Sequence, residues 1–183
     1  MSKRVLIPVA DGSEDIESVT LIDVLRRAEA DVTVAAIGET PTITAARGTR
    51  ITADARLDDV IDQDYDLIVL PGGRGGAEAM RDCAPLIERL KQQKNAGKLY
   101  GAICASPGVA LAPHGLLDDV AATGHPGFQE PLPHQDRVRE RVVRDGICLT
   151  SQGPGTALEY SLALVEALFG ADKRDTVAAP MVL

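Results

Sequence analysis

Short runs of apolar, often β-branched residues alternate along this chain with stretches whose apolar residues recur every three to four positions. That alternation restricts the fold more than any other feature. A strand that is apolar on both faces needs helices above and below it, and the intervening helical stretches supply the crossovers that parallel strands require. Residues 4–9 read as a first buried strand, and 15–30 as the helix after it, with Glu14, Asp15 and Glu17 at its positive end. Residues 31–37 return as a strand. The Thr-rich segment 41–52, with Pro41 and Gly48, predicts a short edge hairpin beside the main sheet. Residues 65–70 read as the next buried strand, and Pro71-Gly72-Gly73-Arg74-Gly75-Gly76 as a flexible turn. A helix over 85–96, a strand over 99–103 ending at Cys104 and a helix over 106–112 follow. Pro126, Pro131 and Pro133 make 123–135 loop-like, because proline denies a ladder its donors. Residues 141–143 and 147–150 flank Asp145-Gly146 as a hairpin, and 156–169 form a long last helix. With 45% hydrophobic but only 3% aromatic residues, the core must be built from Val, Ile, Leu and Ala. The expectation is one α/β domain over 1–183 with a mostly parallel sheet.

The net charge of -8 repels phosphate backbones and anionic lipid heads, so small molecules or proteins are better partners than nucleic acid or membrane. Met1-Ser2-Lys3-Arg4 runs into the first strand without the pattern of a signal peptide, and a cytoplasmic location is expected. Cys83, Cys104 and Cys148 are odd in number and widely spaced, which suits neither a disulfide framework nor a zinc site.

Ligands of open α/β sheets bind where strands end at their carboxyl edge. The loop after the first strand, the glycine turn after Leu70 and the junction at Cys104 meet there. Cys104 stands between an apolar strand and a helix start, where free N–H groups and a positive helix end lower a thiol pKa. It is either a nucleophile or a structural buried cysteine. Glu17 shares a helical stripe with Leu21, Val24 and Ala28, so it either lies on the buried face with a raised pKa, able to donate to a thiolate, or sits exposed as a dipole partner. Gly72 and Gly73 either present N–H groups to a reacting carbonyl or form an ordinary turn. The glycine run matches neither a Walker A loop nor a dinucleotide fingerprint. His125 in its proline-bounded loop either reaches the same edge or is simply solvated, and His114 and His134 read as surface residues. Cys148 reads as core and Cys83 as a turn residue.

Four motifs in order, Asp11-Gly12-Ser13-Glu14-Asp15-Ile16-Glu17, Leu70-Pro71-Gly72-Gly73, Ala102-Ile103-Cys104-Ala105 and Thr150-Ser151-Gln152-Gly153-Pro154-Gly155-Thr156, resemble the ThiJ/PfpI superfamily. Within it the match is to the DJ-one branch and its bacterial members. The resemblance implies a flavodoxin-like three-layer sandwich, a homodimer and a nucleophile elbow at Cys104. It implies that Cys104 is the reactive, oxidisable thiol, Glu17 its protonated partner, Gly72, Gly73 and Ala105 nearby backbone donors, and His125 a residue lining the site. Arg27 and Arg47 match positions of an anion pocket near the dimer interface. Ala105 stands where protease-like branches supply a histidine, which disfavours peptide hydrolysis. The function expected is a cysteine-dependent enzyme, free of metal or organic cofactor, acting on small reactive dicarbonyls as a glyoxalase or deglycase. The alternative is a redox sensor or redox-regulated chaperone.

Overall fold

Each strand of the central sheet divides its side chains between two apolar cores, and this division builds the molecule. In β1 (Arg4–Val9) Val5, Ile7 and Val9 point to one face and Leu6 to the other, as a pleat with period two dictates. The computed structural model describes residues 2–183. After β1 come α1 (Asp15–Arg27), β2 (Asp31–Ala36), β3 (Thr42–Thr44), β4 (Arg50–Thr52), β5 (Ala55–Arg56), α2 (Leu57–Val60) and β6 (Leu67–Leu70). The chain continues through α3 (Arg74–Asp82), α4 (Ala84–Asn95), β7 (Leu99–Ile103), a π-helical turn at Pro107–Leu111, β8 (Val142–Asp145), β9 (Cys148–Ser151), α5 (Ala157–Phe169) and α6 (Ala171–Ala178).

The main sheet has seven strands in the order β5-β2-β1-β6-β7-β9-β8, parallel except for the antiparallel β8–β9 pair. On one face Val5, Ile7, Leu67 and Val69 pack under Leu21, Val24 and Leu25 of α1 and Leu164 and Val165 of α5. On the other, Leu6, Ile68 and Leu70 pack under Leu86 and Leu90 of α4 and Leu111 of the π turn. This is the flavodoxin-like, three-layer arrangement expected. None of the helices described is long and apolar enough to cross a membrane.

β1 and β7 occupy the residues expected, and β8 and β9 close on Asp145↔Cys148 around Gly146 as the Asp-Gly signal predicts. β3 and β4 form a separate two-stranded sheet. Two expectations need correction. The glycine run is not a flexible turn over 71–76: α3 begins at Arg74 and takes in Gly75 and Gly76. A Cβ on Gly76 would sit 2.6 Å from Ser13 Oγ, so close packing against the loop after β1, not flexibility, calls for the small residue. The segment after Cys104 is a five-residue π turn rather than an α-helix. β5, α2 and α6 are too short or too polar to have been read from periodicity.

Gly101, in mid-strand, shows how tightly α5 seats on the sheet. A Cβ there would collide with the Leu149 carbonyl and lie 2.5 Å from the Tyr160 hydroxyl, which donates to that carbonyl at 2.8 Å. Gly101→Ala should destabilise the protein by about 2–3 kcal/mol, lowering Tm by about 5–10 °C. Calorimetry of the two proteins checks this, and an unchanged Tm would mean that α5 can shift away.

Candidate active site

Strand order reverses between β1 and β6, so the loops after these two strands and the end of β7 meet over one crevice. β7 leads directly into Cys104, whose φ of 66° lies in the left-handed region that side chains other than glycine rarely adopt. The elbow is held by its backbone. Cys104 N–H donates to the Ser151 carbonyl at 3.0 Å, and the Cys104 carbonyl accepts from His125 N–H at 2.7 Å. The sulfur is thereby presented at the floor of the crevice, with the residue only 8% exposed.

Glu17 is brought to the sulfur by α1. Glu14 caps that helix by accepting the Glu17 N–H at 2.8 Å, and Asp15 accepts the N–H groups of Arg47 and Thr49, tying the β3–β4 hairpin to the helix start. Glu17 then falls on the same buried stripe as Leu21, Val24 and Ala28, and its carboxyl is fully buried. Oε2 accepts the Gly72 N–H at 2.7 Å. Oε1 is buried without a hydrogen-bond partner in this conformation. The Cys104 thiol abuts this carboxyl, while the N–H groups of Gly73 and Ala105 face the sulfur. Gly72 has no room for a side chain: a Cβ would strike the Cys104 Cβ and lie 2.6 Å from Glu17 Oε2 and 2.9 Å from the Ile103 carbonyl.

The five site positions from the first, second and third crevice segments therefore meet, with one change of emphasis. The Gly72 N–H is committed to Glu17, leaving Gly73 and Ala105 as the amides turned to sulfur. His125 stands at the rim with its ring exposed, packed on Phe128 at 5.9 Å between centroids, and its Nδ1 accepts the Gly127 N–H at 3.1 Å. Among the described residues no hydrogen bond joins that ring to Cys104 or Glu17. Arg27 and Arg47 are exposed at opposite ends of α1, about 18 Å apart along its axis, so one copy of the chain does not bring them together. Arg27 instead pairs with Asp23 at 2.6 Å.

Electrostatics correct another expectation. The thiol pKa does not fall: burial, followed by the charge of the adjoining Glu17, pushes Cys104 up to about 12 despite the amides of Gly73 and Ala105. The helix-end argument is outweighed because the sulfur is desolvated and shares its place with a carboxyl. Burial likewise raises Glu17 to about 7, against the thiol and the Gly72 N–H, which lower it. Thiol and carboxyl titrate as one unit that keeps a single proton between about 7 and about 12.

Sequence reasoning overlooked Ser106 and Ser151. Ser106, fully buried, donates its hydroxyl to the Pro71 carbonyl at 2.6 Å, and the Ser151 hydroxyl shares a 2.6 Å bond with Thr156 under the Gly153 turn. A small polar residue directly after the elbow was the available signal. Cys148 is buried in the core and Cys83 half-buried between α3 and α4.

A profile described as the DJ-1/PfpI family matches residues 3–167. Protein DJ-1 homolog B of Arabidopsis thaliana is 48% identical over 170 residues, which cover 93% of this chain but 39% of that protein. The chain thus spans about two-fifths of that plant relative's length. The glutathione-independent glyoxalase DJR-1.2 of Caenorhabditis elegans is 36% identical over 184 residues, covering 100% of this chain and 96% of the relative. Among solved structures, oxidized DJ-1 of Toxoplasma gondii superposes with a TM-score of 0.96 at 42% identity, covering 99% of this chain and 98% of that one.

Because the Glu17 pKa is raised on folding from 4.5 to about 7, its contribution to stability is complete below pH 4.5 and is lost as pH rises through 7. Between pH 5 and pH 8 the wild type should lose about 2–3 kcal/mol more unfolding free energy than Glu17→Gln. Urea titrations at the two pH values measure this difference, and equal losses would show that Glu17 is not buried as a proton-holding acid.

Proposed function

The chain belongs to the DJ-1/PfpI family, and from that premise we propose that it is a cysteine-dependent enzyme acting on small reactive dicarbonyls, converting methylglyoxal to lactate without a cofactor. The observation that carries this reading is the buried thiol–carboxyl pair of Cys104 and Glu17, with the amides of Gly73 and Ala105 turned to the sulfur. The relative named as a glutathione-independent glyoxalase supports the same chemistry.

In the singly protonated pair, the tautomer with the proton on Glu17 leaves a thiolate on Cys104. The sulfur adds to the aldehyde carbon of methylglyoxal, and the carbonyl oxygen takes the Glu17 proton, giving a hemithioacetal. The Gly73 and Ala105 amides stabilise the oxyanion that develops. The Glu17 carboxylate then removes the hydrogen on that carbon as a proton, and the electron pair passes through an enediolate. Returning this proton to the neighbouring carbon yields a lactoyl thioester. One carbon is oxidised as the next is reduced, so no external redox partner enters. Water hydrolyses the thioester, releasing lactate and the thiol. His125 at the rim, beside Phe128, lines the way in.

Lactate formation from methylglyoxal tests this. Cys104→Ser should lower kcat/KM by about a thousandfold and Glu17→Gln by about a hundredfold. The wild-type rate should rise across pH 7, since below it both groups are protonated and the thiol is not a nucleophile. Turnover that survives Cys104→Ser, or its absence from the wild type, would refute the enzymatic reading.

The oxidized state of the Toxoplasma gondii structure favours a second use of the same thiol, as a redox sensor or switch of chaperone activity. Peroxide would oxidise the thiolate to a sulfenate and a second peroxide would give the sulfinate, each releasing water. Protonated Glu17 would donate to a sulfinate oxygen. Graded peroxide followed by peptide mass analysis should place two oxygens on Cys104 before Cys83 or Cys148 is modified, and the product distribution should change in Glu17→Leu. Identical products at equal dose in both proteins would remove Glu17 from that role. The assembly that goes with either use is a homodimer, supported by the exposed apolar side chains of Ile16 and Val19 on α1.

A further inference from the structure

We propose that Ser106 is a positioning residue that acts through a single peptide group to set how firmly the Glu17 carboxylate is held beside Cys104. The Pro71–Gly72 peptide is gripped at both ends. Its carbonyl accepts the Ser106 hydroxyl at 2.6 Å, and its N–H donates to Glu17 Oε2 at 2.7 Å. All three residues are buried, so no solvent competes for either bond. A donor on a carbonyl polarises the amide and strengthens the bond its N–H makes, and a low local dielectric enlarges the effect. The hydroxyl also fixes the plane of the peptide. Rotation of that plane would turn the Gly72 N–H away from Glu17. Ser106 is therefore coupled to the carboxyl through the Gly72 N–H without touching carboxyl or thiol, and it adds no charge of its own.

The inference rests on Cys104 and Glu17 titrating together, as the proposed function also assumes. The groups that face Glu17 are Cys104 at the elbow, Glu14 at the start of α1, Tyr160 on α5 and the His125 ring across Gly153. Substitution at Ser106 alters none of them. Losing the hydroxyl weakens the bond to the carboxylate and raises the pH at which the pair gives up its first proton. It also shifts the remaining proton from sulfur toward Glu17, so a larger share of the pair carries a thiolate. When both groups are protonated, reactivity depends on the thiol's own acidity and stays the same.

The rate of Cys104 alkylation by iodoacetamide against pH, assigned by peptide mass, reads all three effects and needs no turnover. In Ser106→Ala the midpoint should rise by about 0.5 pH unit and the plateau by the same factor, about threefold, with the acid-side rate unchanged. Ser106→Cys, which keeps the size and a weak donor, should fall between Ser106→Ala and the wild type. In a Glu17→Gln background the Ser106→Ala shift should vanish. A lower Tm with a wild-type alkylation profile in either Ser106 variant would make Ser106 a packing residue only and overturn the proposal, as would a shift that persists without Glu17. If instead Glu17→Gln alone leaves the profile unchanged, the pair itself fails. If the shifts appear but methylglyoxal is not turned over, the Ser106 inference stands and the assigned reaction does not.

Discussion

Glu17 and Gly72 are 55 residues apart, and the 2.7 Å bond between the Gly72 N–H and the Glu17 carboxyl joins the segment after β1 to the segment after β6, beside the Cys104 elbow. It requires β1 and β6 to lie side by side in parallel, so that the loops after them share one edge. It requires α1 to start at Asp15, which places residue 17 on the stripe facing the sheet. It also requires a residue without a side chain at position 72, since the carboxyl, the elbow and the strand end all crowd that point. Few changes in the surrounding packing would leave all these conditions met.

The charge balance at the sulfur is decided by burial. Two backbone amides favour the thiolate, each charge-assisted bond being worth roughly 1.5–3 kcal/mol. Against them stand the loss of hydration of a buried ion, which is several kcal/mol, and a carboxyl that competes for the same negative charge. Between about 7 and about 12 the pair consequently keeps one proton, held mainly on sulfur, with the Glu17 carboxylate as its charged member. This suits chemistry in which a nucleophile and a proton donor are needed at once and must exchange roles. A solvent-exposed cysteine at a helix end would ionise more readily, but would have no acid beside it.

Much of the fold was legible because the sheet is buried on both faces. Arg4–Val9 and Leu99–Ile103 are short, apolar and bounded by breakers, and the stripe of Glu17, Leu21, Val24 and Ala28 made a buried carboxyl one of two readings, the one the fold adopts. The start of α3 was not legible. Gly75 and Gly76 carry poor helix propensity, and they are helical because small residues are needed where α3 meets the loop after β1. α6 has no apolar stripe and packs chiefly on α5, so no local period marks it. Arg27 and Arg47 match positions of an anion pocket near a dimer interface, and within one copy the length of α1 keeps them apart.

The amino-acid sequence by itself determined where most of the buried strands lie, that Cys104 follows a strand and that Glu17 shares a helical stripe with Leu21, Val24 and Ala28, because these follow from local period and composition. Tertiary structure decided what those residues do to each other. The Gly72 amide went to the carboxyl rather than to the sulfur, Ser106 reached the far side of the same peptide, and the thiol pKa rose where a helix end alone would lower it. The physical reason is that hydrogen-bond partners and desolvation depend on distances between segments far apart in the chain. Those distances exist only once β1, β6 and β7 have paired in register.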